Sequence, residues 1–382
     1  MGLFGRKQKK TSPGFLAVQT SPPVNELRLG SRISGGRGSI WENRLYRSLR
    51  ESVPVIDAAI YKIVRLTGGF QVRCRDSRAQ EAMDSFVKNV RVNGISAGLA
   101  AFVNIYLEQL LTYGTAVGEI VLGEDMTIKA LYNSNINDVR LSCGENPLDV
   151  EIGVRDSAGN YSGIKHPELV VCSAIMPEPG SIYGTSILKG LPFVSDILMK
   201  ILGAVGTNWD RVGNVRFAVT YRPGENERSF GRERAAQIAS EWSKAMKSSD
   251  PRDFICVGDV DIKAIGADNQ IPDCAVPIRQ IMEQITAKLS IPPFLLGLSW
   301  STTERMSTQQ ADMLTSELEY YRRILEAPVR KICSGFLRLE GFDDSLDIIW
   351  DNINLQDEVE LAKARLYNAQ AEEKEINNRK EG

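Results

Sequence analysis

One pentapeptide in this 382-residue chain has the spacing of a nucleophile elbow. Gly94-Ile95-Ser96-Ala97-Gly98 fits G-x-S-x-G, the turn that exposes a serine hydroxyl for attack on an acyl carbon. That chemistry needs a strand before the serine, a helix after it, and a carboxylate and a histidine further along. The chain has a single histidine, His166, followed directly by Pro167. A charged helix, not a strand, is expected ahead of Ser96, and Ser96 reads better as the cap of a helix beginning at Leu99. A serine hydrolase using Ser96 is carried forward as the alternative reading.

Other catalytic chemistry has little to stand on. One histidine excludes H-E-x-x-H zinc sites, facial triads and paired-histidine catalysis. Six cysteines stand at 74, 143, 172, 256, 274 and 333, with no C-x-x-C pair, which reads as reduced core thiols rather than a zinc ribbon. No G-x-x-x-x-G-K-[ST] occurs, so no ATP-driven motor is expected. Gly35-Gly36-Arg37-Gly38 follows no strand and reads as linker. Asp57, Asp125, Asp138 and Asp210 are too dispersed to mark a metal cluster. The expectation is a non-enzymatic chain with no cofactor and no metal.

Binding chemistry is more plausible. Trp41–Arg50 (WENRLYRSLR) and Trp209–Phe217 (WDRVGNVRF) interleave aromatic and basic residues, a pattern that stacks on bases and contacts phosphates, and equally the pattern of ordinary amphipathic surfaces. Neither contains a groove-reading motif, so any DNA contact is expected to be independent of sequence. Net charge is −2, unevenly spread. Residues 1–50 carry ten Lys or Arg against Glu26 and Glu42, leaving 36 basic and 46 acidic residues in the remainder. A basic arm on an acidic body suits contact with nucleic acid or an acidic neighbour, and also suits a solvated tail.

The elements that must hold these residues indicate an α+β chain. Residues 1–39, rich in Gly, Ser, Pro and basic groups, bury little. Apolar spacing then predicts helices from Val53 to Gly68, over Arg78–Val90 and over Leu99–Tyr113. Strands are predicted at Phe70–Cys74, Ala116–Leu122, Ile128–Leu131, Val139–Leu141, Val150–Arg155, Tyr161–Ile164 and Leu169–Ile175. A long apolar helix is predicted from Phe193 to Val212 and another over Val276–Leu289. Between them lies a small α+β insertion with strands at Val215–Tyr221, Phe254–Val257 and Val260–Ala264 and a helix over Arg232–Ser248. A stripe through Met306, Gln310, Leu314, Leu318, Tyr321, Leu325, Val329, Ile332 and Phe336 predicts a helix kinked at Pro328. A strand at Leu346–Trp350 and a charged helix over Asp357–Arg379 close the chain. The most apolar stretch, Leu99–Leu122, contains Glu108, Gln109 and Glu119, so no membrane segment is expected.

Five segments carry a resemblance. They are Glu51–Gln71 (ESVPVIDAAIYKIVRLTGGFQ), Leu110–Val121 (LLTYGTAVGEIV), Pro177–Leu188 (PEPGSIYGTSIL), Leu289–Gly297 (LSIPPFLLG) and the helix Glu304–Pro328. In this order they resemble the portal proteins of long-tailed double-stranded DNA bacteriophages, over about residues 41–355. The resemblance implies a basic arm (1–40), a wing (41–186 and 307–354), paired stem helices (187–213 and 276–295), a clip (214–275), a tunnel loop (296–306) and a helical crown (355–382). It further implies a ring, typically of twelve copies, at one vertex of a virion capsid, assembled in the host cytoplasm.

Such a ring would pass double-stranded DNA inward and later outward. Its partners would be the terminase large subunit, the head-tail connector or adaptor, and the major capsid protein or scaffold. The tunnel loop would present Ser299, Trp300, Ser301, Thr302, Thr303, Glu304 and Arg305 to the DNA, and the stems would meet through Ile197, Ile201, Val205, Ile278 and Ile285. The charge pattern agrees, because an acidic body with Arg305 as the only cation near the loop would let a polyanion slide. Another head-tail junction ring is the second alternative, although such chains are usually shorter. An active phage, a prophage or a gene-transfer particle would carry the same features.

Overall fold

Proline and glycine bracket the first helices. In α1 (Ile40–Ser52), Asn43, Tyr46 and Leu49 are buried. Pro54 opens α2 (Pro54–Thr67) at the position where its missing N–H costs nothing, and Gly68 (φ +76°) ends it. β1 (Phe70–Cys74) leads to α3 (Ser77–Asn89), whose first turn is capped by the Asp76 carboxylate accepting from the Arg78 N–H. Two short strands, β2 (Arg91–Val92) and β3 (Ser96–Ala97), then form a hairpin turning at Asn93-Gly94, with Asn93 at φ +51°. The sequence reading has no counterpart for either strand.

The computed structural model describes residues 40–353 except 145, 147, 157, 214–215, 222–232, 234, 242–259, 266–272 and 299–303. It divides into two units, one running to Ser195 and resuming at Met282, the other spanning Asp196–Ile281.

The larger unit is built around α4 (Leu99–Tyr113). Leu99, Phe102, Val103, Tyr106, Leu107, Leu110 and Leu111 are buried, and Gly114 in the left-handed conformation ends the helix. The chain turns straight into β4 (Thr115–Leu122), all eight residues of which are buried. Burial without alternation marks a strand covered on both faces, and here it takes in the polar Thr115 and Glu119 as well. β5 (Ile128–Asn133) and β9 (Val170–Ala174) flank β4 antiparallel, and β2 joins β5 in parallel, giving the order β3-β2-β5-β4-β9. Between β5 and β9 the chain forms an antiparallel sheet of β6 (Val139–Cys143), β7 (Val150–Arg155) and β8 (Tyr161–Gly163). Val139, Leu141 and Ile152 of this sheet share a core with Val117 and Val170, with Tyr183 packed against it.

After α5 (Leu191–Gly213), the smaller unit pairs β10 (Arg216–Tyr221) with β11 (Val260–Ile265) antiparallel, Arg216 opposite Ile265 and Tyr221 opposite Val260; residues 235–241 are helical. The expected strand at 254–257, the rest of the Arg232–Ser248 helix and the helix at 357–379 lie outside the described residues. α6 (Ala275–Lys288) and α7 (Glu304–Leu339) follow. Pro328 is buried inside α7 without ending it. β12 (Leu346–Trp350) returns to pair with β1, placing Trp350 opposite Phe70 with ring centroids 5.1 Å apart. This pairing closes the larger unit with residues 280 positions apart in the chain.

Candidate functional site

Ser96 is not on a nucleophile elbow. It lies exposed in β3, an edge strand two residues long, and it does not cap α4 either: Gly98 holds that position with no side-chain hydrogen bond. The reason is backbone geometry, since the chain enters α4 through Gly98 at φ +92°. His166 precedes β9 at the opposite edge of the same sheet, and four strand spacings of about 4.8 Å put roughly 19 Å between those edges. His166 Nδ1 instead lies 2.9 Å from Glu168 Oε1. The serine hydrolase reading thereby loses its base. Among the described residues, no group of three His, Cys, Asp or Glu could hold a metal, and no helix is long and apolar enough to cross a membrane.

Two of the glycine-rich segments instead pack on each other and set the start of α5. A Cβ on Gly184 would overlap the carbonyl oxygen of Gly114 and stand 2.6 Å from that of Ile175. A Cβ on Gly114 would stand 2.6 Å from the Ser186 nitrogen. Around this contact the Gly184 N–H donates to Thr115 Oγ1 (2.9 Å), Thr185 N–H to the Ile175 carbonyl (2.7 Å) and Ile175 N–H to the Gly114 carbonyl (2.8 Å). The Ser186 hydroxyl donates to the Thr112 carbonyl (2.6 Å) and accepts from the Leu188 N–H (3.0 Å). Tyr183 clips the same segment to β6, accepting from the Leu141 N–H at 2.8 Å. These bonds pin the chain to the α4–β4 turn three residues before α5 begins.

The surface of α5 departs from the expected one. Ile197, Ile201 and Val205 are half-buried within the chain itself, as is Ile278 in α6, and Ile285 is completely buried at 0% exposure. Ile285 is thus a core residue and offers nothing to a neighbour. Among the described residues, the large apolar side chains left open on α5 beyond Ser195 are Met199, Leu202 and Trp209. Periodicity alone does not say which of the apolar residues of α5 the chain covers itself. In the WDRVGNVRF segment, the side chains after Trp209 lie outside the described residues.

LSIPPFLLG forms a tight apolar corner. Leu289, Ile291 and Pro292 are buried, Ser290 takes φ +51°, Pro293–Leu296 make one 3₁₀ turn, and Gly297 (φ +75°) stops it. Ser299, Trp300, Ser301, Thr302 and Thr303 lie outside the described residues, as do the side chains of Glu304 and Arg305, whose backbone opens α7. On α7 the stripe is buried at Leu314, Leu318, Tyr321, Leu325, Val329 and Ile332, and Phe336 stacks on Phe86 with centroids 4.2 Å apart. Met306 is exposed, so the stripe begins one turn later than expected.

Two arginines, Arg322 buried and Arg50 half-buried, hold the helices, and sequence reading singled out neither role. Arg322, near the middle of α7, donates through Nε (2.8 Å) and Nη2 (2.6 Å) to the carbonyl of Thr67, the last residue of α2, with its guanidinium 5.3 Å from the centre of the Trp350 ring. A cation there meets the negative end of the α2 dipole. Gly68 leaves it room, since a Cβ would stand 3.0 Å from Nη2. Arg50 on α1 donates to Asp57 Oδ1 of α2 (2.7 Å through Nη2) and to Glu108 Oε1 (2.8 Å) and Thr112 Oγ1 (2.9 Å) of α4. Burial works to lower the Arg50 pKa, but its bonds to Glu108 and Asp57 outweigh that and leave it raised. An open pocket of about 340 Å³ beside this cluster is lined by Arg47, Glu51, Tyr61 and Tyr113 as well. Both its arginines are ion-paired, Arg50 to Asp57 and Glu108 and Arg47 to Glu51 at 3.0 Å, while Arg44 of the same WENRLYRSLR segment is exposed.

No protein-family model and no curated protein matches the chain. Solved structures do. Over 86% of this chain and 88% of the other, the fold matches a chain in the neck of a native gene transfer agent particle computed with C12 symmetry, at 15% identity and a TM-score of 0.62. A chain in the neck of an empty particle of that kind, computed with C6 symmetry, matches over 87% and 90% at 15% identity and a TM-score of 0.64. An HK97-family phage portal protein from Corynebacterium diphtheriae matches at 11% identity over 78% of this chain and 92% of that one, with a TM-score of 0.43. At these identities the likeness is one of fold: the chain has the α+β fold of a chain found in the neck of gene transfer agent particles.

Proposed function

We propose that this chain is the portal subunit of a phage or phage-like particle, a non-enzymatic ring through which double-stranded DNA enters and leaves a capsid. The observation that carries the reading is the match over more than four-fifths of both chains to subunits of necks with C12 and C6 symmetry. In this reading α5 and α6 are the stems, the β10–β11 unit between them is the clip, and the larger unit is the wing. Residues 296–306, which join the end of the buried corner to the first turn of α7, form the tunnel loop, with Trp300 and Arg305 facing the channel. A net charge of −10 beyond residue 50 keeps the body from gripping a polyanion, since each phosphate neutralised adds salt-dependent affinity. The terminase large subunit, the connector and the capsid shell dock on the outside of the ring, and the driving energy comes from a separate ATPase.

Negative-stain images of the purified full-length chain test this. The reading expects annular particles with a central stain-filled hole; compact single subunits at every concentration and salt would overturn it.

A further inference from the structure

The strip of α5 left bare by its own chain carries an inference that rests on the ring reading. Between residues 199 and 209, Met199 is 46%, Leu202 46% and Trp209 62% exposed. At about 100° per residue these three fall within one arc of the helix, together with Gly203 and Gly206. Around both glycines nothing lies within 4 Å of where a Cβ would stand. A glycine inside a helix costs about 1 kcal/mol against alanine. Two of them in one turn, with nothing packed on them, is a cost that the isolated subunit does not recover. It is recovered if another backbone comes close along that strip, because missing side chains are what let two helices approach nearer than the usual 8–10 Å.

The occupant is not DNA. The only charge between residues 199 and 209 is Lys200, whose Nζ is held 2.6 Å from Asp196 Oδ2, and a polyanion needs several free cations. Area points to a repeated contact. Three partly open side chains supply a few hundred Å², well below the roughly 800 Å² per partner of a stable pair. In a closed ring every subunit is held from two sides, so a modest contact suffices. We propose that the Met199–Leu202–Gly203–Gly206–Trp209 strip of α5 is the surface by which each subunit receives a second copy of this chain. The neighbour's backbone lies against the two glycines, while Ile197, Ile201 and Val205 are half-covered by their own chain.

The double variant Gly203→Leu/Gly206→Leu tests this without endangering the fold. Leucine favours helix over glycine, and the space at both positions is empty within the chain. Leu202→Glu reads the same strip through charge. Sedimentation velocity of wild type and both variants, with circular dichroism to confirm that each stays helical, should show wild-type rings and helical variants that no longer close. The concentration needed for half-assembly should rise roughly tenfold or more. Wild-type rings with both variants assembling at the wild-type concentration would overturn this inference and leave the ring reading intact. A wild-type chain that never assembles would overturn both.

Discussion

Gly184→Ala should be among the most damaging single-methyl changes in the larger unit. The added Cβ would overlap the Gly114 carbonyl oxygen and lie 2.6 Å from the Ile175 oxygen and 2.7 Å from the Ile175 nitrogen. All three are backbone atoms, so no rotamer change relieves the clash, and the segment leading to α5 must lift off the α4–β4 turn. Three hydrogen bonds cross that contact: Gly184 N–H to Thr115 Oγ1, Thr185 N–H to Ile175 O and Ile175 N–H to Gly114 O. At about 1 kcal/mol net for each, their loss amounts to about 3 kcal/mol, the upper end of ordinary overpacking. With a urea slope of about 3 kcal/mol per M for a chain of this size, the midpoint should fall by about 1 M. Gly163→Ala is the control, because Gly163 lies in β8 with nothing within 4 Å of its missing Cβ; its midpoint should stay within about 0.3 M of wild type. Urea unfolding followed by far-ultraviolet circular dichroism reads both variants. A Gly184→Ala midpoint as close to wild type as the control would refute the claimed backbone contact.

Other expectations follow from single contacts. Arg322→Lys should destabilise by about 2 kcal/mol in the same urea assay, because one ammonium cannot give two bonds to Thr67 and also stack on Trp350; an unchanged midpoint would show that the fork is not needed. Burial pushes the Cys333 thiol up to about 12 from an ordinary value near 9, so it should resist a thiol reagent in the native protein while exposed Cys143 reacts. For the same reason, the stability that Cys333 contributes is complete below pH 9. It is lost as pH rises from there through about 12, where the folded thiol at last ionises; equal labelling of the two cysteines would contradict this burial. Trp300→Ala should leave rings intact and impair DNA packaging or retention in the particle. Loss of the ring would mark Trp300 as a packing residue instead.

What the sequence could disclose was whatever is written locally. Gly114 after Tyr113 announces the end of α4 and the apolar residues after it a strand, and both lie where the spacing predicted; that β4 is buried on both faces, Glu119 included, was not written locally. β1 and β12 were each visible as strands, but their pairing across 280 positions was not. Arg322 looks from its neighbours like any charge on a solvated helix face. Its role comes from the carbonyl of Thr67, 255 residues away. Ser96 was misread as a cap because cap preference is statistical, and here a positive-φ glycine two residues later decides the geometry. The α5 pattern gave a long apolar helix, and the helix is there. Which part of its surface the subunit covers itself depends on neighbours in space, and Ile285, equally apolar in sequence, turned out to be core. Met306 keeps the α7 spacing and lies in the helix, but its side chain is exposed, because periodicity marks a face of a helix and not how far along it the burial runs.

The central claim is that copies of this chain close around a hole, and the mass of the native particle tests it most directly. With twelve chains of 42.3 kDa, native mass spectrometry should find one dominant species near 500 kDa, with a collision cross-section larger than that of a filled sphere of that mass. A spectrum holding only the 42.3 kDa chain, from dilute to concentrated protein, would contradict the account.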